Sequence, residues 1–241
     1  MTTGEGPQRA DGWAAAVRQK LGLGRLLPLG GPGDGAWIAE RAAVVVLRGA
    51  VAVAEQEQGV VLGRLRIEVA APDQAPEPEV EPPPSALPPG PLRIEADVSA
   101  LSGRPLPAAA DALRSALFTA AGDRLGLVVA EVDVRVTELL DTPPERTPPA
   151  PAEARGARAT EDAGRAAAGV PGVVALTRAL GHPVHTGPGR VRVELATDPA
   201  HRAIDVARAV RGAVTAALEG HPSVAVLVTA VVERDRVTGL D

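Results

Sequence analysis

Residues 191–195 read VRVEL, and about a hundred positions earlier residues 92–96 read LRIEA. In both stretches apolar and charged residues alternate, the pattern of a strand with one dry face and one wet face. The resemblance continues downstream. Residues 113–117 read LRSAL and residues 210–214 read VRGAV, each inside an amphipathic stretch at helical spacing. The first such stretch starts near Pro107, with Leu113 and Leu117 inward, and Gly122 reads as its C-cap. The second starts near Ala203, carries Ala207, Val210, Val214 and Leu218 inward, and stops at Gly220 and Pro222. A third strand closes each unit: Val132, Val134 and Val136 alternate with Asp133 and Arg135, and Val224 to Val232 is the later counterpart.

Working outward, a helix is expected over Ala36–Glu55, with Ile38, Ala42, Val45, Gly49 and Val53 inward. Val61–Val69 follows as a strand. The later counterparts are a short helix near Glu161–Ala168, capped by Thr160, and a strand at Val173–Leu180. The expected fold is therefore α+β: two diverged copies of a helix-strand-strand-helix-strand unit, forming small sheets with helices on one face. The division is an N-terminal segment at 1–35, a first repeat at 36–140, a linker at 141–158, a second repeat at 159–236 and a tail at 237–241. Two proline-rich stretches, 72–91 and 141–151, lack the apolar side chains that offset ordering entropy, and exposed, extended chain is expected there.

Composition narrows the function. Apolar residues make up 45% of the 241 and aromatics only 1%, so the core is built from Val, Leu, Ile and Ala. The net charge of −5 is spread without a basic block, which argues against nucleic acid as a partner. The absence of cysteine excludes disulfides and thiolate chemistry and fits a cytoplasmic setting. The sequence shows neither a transmembrane stretch nor a signal-peptide pattern.

The unit resembles the alkaline-shock or general-stress proteins, the envelope stress-response family of Gram-positive bacteria, in a tandem, diverged arrangement of actinobacterial type. Val170-Pro171-Gly172-Val173 matches the family's turn into a strand, and Gly59-Val60 is its counterpart in the first copy. Val132-Asp133-Val134-Arg135-Val136 matches the closing strand. Ser102-Gly103 fits a glycine that often precedes the second helix, whereas the later copy departs with Asp198-Pro199-Ala200. The resemblance covers about residues 37–234. It implies a non-enzymatic protein that associates with itself and docks to a membrane-anchored partner on the cytoplasmic face, with no catalytic residues and no cofactor.

The residues themselves support few sites. His182 and His185, with His201, could chelate a divalent metal or small ligand, which is the alternative function. They lie in a Gly/Pro loop without a carboxylate at ligand spacing, so no metal is assigned. The run Gly30-Gly31-Pro32-Gly33-Asp34-Gly35 has no preceding strand in the pattern and reads as a flexible hinge. No serine sits in a nucleophile motif, and Glu95, Asp97 and Glu194 read as strand-face charges paired with arginine. Two stretches are assigned to interaction. Trp13, Val17 and Leu21 lie at helical spacing among basic residues, as a docking helix or a peripheral membrane contact. Val224, Val226, Leu227, Val228 and Val231 belong to a strand apolar on both faces, which must be covered twice, by the other copy, the N-terminal segment or another subunit.

Overall fold

The computed structural model describes residues 22–142 and 152–239. Strands β1 (Leu26–Leu29) and β2 (Ala36–Ala39) form an antiparallel hairpin. Helix α1 (Glu40–Gln58), β3 (Val60–Val69), β4 (Leu92–Leu101), α2 (Leu106–Ala120) and β5 (Val129–Leu140) follow. The second half contains β6 (Ala154–Ala157), α3 (Asp162–Ala168), β7 (Val173–Thr177), β8 (Val184–Gly187) and β9 (Arg190–Thr197). It ends with α4 (Ala203–Ala217), β10 (Ser223–Val231) and β11 (Val237–Thr238). No helix among the described residues is long and apolar enough to cross a membrane.

The duplication is real in three dimensions. In the first copy β3 and β4 pair antiparallel, and α2 crosses over to place β5 parallel to β4. In the second, β7 and β9 pair antiparallel and α4 carries the chain to β10, parallel to β9. The same glycine turn leads from the first helix into the first strand of each copy. Gly59 has φ 65° and Gly172 φ 88°, the left-handed region that L-residues with a Cβ adopt at a cost. A Cβ on Gly172 would also stand 2.6 Å from Cγ2 of Val206.

The copies do not stand apart. One continuous core runs through both. The strand order β1-β2-β10-β9-β7-β6-β11, with β8 beside β9, makes an eight-stranded sheet, while β3-β4-β5 stands alone. β2 lies parallel to β10, with Trp37 opposite Leu227. Residues 36–39 are thus a strand, not the first turn of a helix, because their backbone pairs with β10 and all four are buried. Gly30–Gly35 is the turn of the hairpin rather than a hinge, and it is preceded by a strand. Asp34 accepts from the Gly31 N–H at 2.7 Å and from Arg208 of α4 at 2.8 and 3.1 Å, which fixes the turn against the second copy.

Helix α1 shows why its face was misread. It packs against β3, α2 and β10, so it is walled on more than one side. Ala43, Leu47 and Val51 are fully buried, whereas Val53 is 66% exposed. Arg48 and Glu55, charged side chains of this helix, guard the β3 edge. Arg48 donates to the carbonyls of Leu62 (3.0 Å) and Gly63, and Glu55 accepts the Leu62 N–H at 2.6 Å. Farther on, α2 continues through a π turn (Ala121–Leu125), and Gly126, not Gly122, ends it. Helix α3 starts without a side-chain cap from Thr160.

The first proline-rich stretch is strapped to the second copy. Val80 is 3% exposed, the Glu79 N–H bonds the Pro32 carbonyl, the Leu87 N–H bonds that of Leu26, and Glu81 pairs with Arg190. Two further short strands lie where linker and tail were expected: β6 pairs with β7, and β11 pairs with β6.

Candidate functional site: an arginine-lined cleft

The expected interaction strand is occupied by its own chain. Val224, Val226, Leu227 and Val228 are at most 1% exposed and Val231 9%, with β2 and β9 on either side and α1 and α4 packed on the strand. Successive residues point to opposite faces, so both faces are covered. The side chains assigned to a partner are therefore core. Of the three covers anticipated, the other copy supplies this one, through β2 and α1. Trp13, Val17 and Leu21 lie outside the described residues.

The histidines do not converge. His185 on β8 stands opposite Arg192, His182 lies in the preceding loop, and His201 packs on Gly172 beyond the far end of β9. Roughly 15 Å of strand separates the last from the first two. Among the described residues no group of three or more His, Asp or Glu side chains is placed to hold a metal ion.

A concavity lies elsewhere, where the seam between the copies opens. A cleft of about 610 Å³ lies between the start of α1, strand β6 and the C-terminal ends of β7 and β10. Arg41 comes from the first turn of α1, Arg155 from β6 and Arg178 from the residue after β7. Three guanidinium groups and one carboxylate, Glu153, thus line it in a chain that is acidic overall. Its apolar wall is Leu23, Ala42, Val45 and Val231. Thr177 and Thr229 complete the lining, with hydroxyls 2.8 Å apart. Thr229 donates to the Leu195 carbonyl at 3.2 Å, so the hydrogen between the hydroxyls belongs to Thr177.

Behind the cleft sits a buried carboxylate. Glu194, fully buried on β9, accepts the Leu180 N–H at 2.8 Å and a second backbone bond from Ala179. Arg192 lies 3.5 Å away. Burial outweighs these partners and pushes the carboxyl from the usual 4.5 up to about 7. The loop it holds, residues 178–183, interrupts the pairing of the β7–β8 side with β9 and starts with Arg178, so Glu194 positions one wall of the cleft.

Each arginine reads as an ordinary solvated charge in the sequence, because the three come from separate segments. Glu194 carried one usable signal: the Gly/Pro loop opposite it takes the place of the long proline-rich stretch of the first copy. Comparison with family models, curated proteins and solved structures gives no match.

Proposed function

We propose that this chain is a non-catalytic interaction protein of the envelope-stress type, which associates with itself and receives an acidic segment of a membrane-anchored partner in the arginine-lined cleft. The observation that carries the reading is the cleft itself: three arginines beside an aliphatic wall, in a protein of net charge −5. Guanidinium groups bind carboxylates through two parallel N–H bonds, and the aliphatic wall takes the apolar residues between them. The repeat order and the two glycine turns support the envelope-stress part of the reading. Placement at the cytoplasmic face of a membrane follows from the family resemblance, and an anchored partner supplies the attachment.

A fluorescein-labelled peptide of alternating Glu and Leu tests the cleft by fluorescence anisotropy. Binding is expected at low salt and weakens as salt screens the charges. Arg41→Glu and Arg155→Glu are each expected to weaken it about tenfold, as loss of a charge-assisted pair predicts. Equal binding by the wild type and both variants rejects the cleft as the docking site.

A further inference from the structure

Sheet edges expose rows of unpaired N–H and C=O groups, and stable monomers cover them. This chain covers nearly all of its own. α1 side chains guard the β3 edge, and the β1 edge is bridged to the proline-rich strap at Ala86. β8 is four residues long and β11 two. β5 differs: it is twelve residues long, forms the outer edge of the three-stranded sheet among the described residues, and its Val132 carbonyl accepts from Arg114 of α2 at 3.0 Å. The internal repeat makes the contrast sharper. β10, the equivalent strand of the second copy, has β2 paired along this same edge.

We propose that β5 pairs antiparallel with β5 of a second copy of this chain, about a two-fold axis through Val134. The register follows from backbone and charge together. The bond from Arg114 shows that Val132 presents its carbonyl outward, so by strand alternation Val134 and Val136 present their N–H and C=O groups there too. An axis through Val134 sets these groups against one another: Val134 opposite its own copy, Val132 opposite Val136 of the second copy. On the wet face the same axis sets Asp133 opposite Arg135 of the second copy, and the reverse, giving two cross-strand ion pairs. An axis through Asp133 or Arg135 would instead set like charges face to face. Arg114 releases Val132 as the strands meet, and the outward α2 stripe of Asp111, Arg114 and the half-exposed Phe118 comes beside its own copy.

The proposal rests on the self-association in the reading above and names its surface. Light scattering of the pure chain is expected to give twice its 24.5 kDa mass at high micromolar concentration. Asp133→Arg and Arg135→Asp alone each set like charges opposite one another, and are expected to weaken association about tenfold or more. An equimolar mixture restores it, because every cross-strand pair is then opposite in sign. Two misfolded chains would not recover on mixing. In the wild type, the amides of Val132, Val134 and Val136 become protected from hydrogen exchange as concentration rises. A wild type that stays monomeric overturns both self-association and this surface. Association that ignores the single variants, or leaves those three amides unprotected, overturns this surface alone.

Discussion

Replacing Glu194 with glutamine removes a buried charge while leaving an acceptor for the Leu180 N–H. In the folded chain the carboxyl titrates near 7, against 4.5 when free. A raised folded value means that the fold favours the protonated form. The contribution of Glu194 is therefore fully present below 4.5 and is lost as pH rises through 7. At about 1.4 kcal/mol per pH unit, the wild type gives up about 2–3 kcal/mol through this residue between pH 5 and pH 8. Glutamine does not titrate, so Glu194→Gln is expected to match the wild type near pH 5 and to exceed it at pH 8. The gain of about 2–3 kcal/mol corresponds to a Tm roughly 4–12 °C higher at pH 8 for a chain of this size. Paired thermal melts of the two proteins across that range isolate the effect from groups that titrate alike in both. A stability difference that is constant from pH 5 to pH 8 would refute the reasoning, because it would mean that Glu194 does not change its charge in that interval.

Asp34 behaves in the opposite sense. Arg208 holds its carboxyl below the ordinary 3.8, so its stabilisation is present above that value and fades as pH falls. With Arg208 half-exposed, Asp34→Asn should cost only about 1 kcal/mol at pH 7 in urea unfolding, with the gap closing in acid. Leu47→Ala, in the fully buried stripe of α1, should cost about 2–5 kcal/mol, whereas Val53→Ala on the exposed stripe should change the urea midpoint little. Gly172→Ala forces a Cβ against Val206 and His201 at positive φ, and should lower stability by about 2–3 kcal/mol. Gly59→Ala meets mainly the flexible ends of Leu101 and Arg104 and should cost about half of that in the same denaturation assay.

The repeated alternation at 92–96 and 191–195 was enough to find the unit and the order of its elements along the chain, because one wet face and one dry face leave a period-two signature. α1 was legible as a helix but not in phase. Its Val-rich run is apolar in several directions, since more than one element packs on it, and the arginine and glutamate that look like a solvent stripe bond to a strand edge. The β1–β2 hairpin was not legible. The glycines at 30–35 read as a hinge, and what holds the following strand is pairing with residues nearly two hundred positions away. Glu95 and Glu194 show the limit most clearly. They occupy the same place in the two copies, yet Glu95 lies on the open face of the three-stranded sheet and Glu194 is sealed beneath the loop that joins β7 to β8.

The pairing of β2 with β10 also bears on how the chain is made. Ala36 is synthesised about 190 residues before Val226, its partner. Until then Leu27, Leu29 and Trp37, all buried in the finished fold, have no sheet to join. Closing a loop of that length makes folding slow and leaves an apolar hairpin open while the intervening residues are made, a natural substrate for a chaperone. A fragment ending after β5 would keep the hairpin and lack the strand that covers it. The two copies, equal as patterns, are therefore interdependent as a synthesis problem: the first is completed only when β10 of the second has been made.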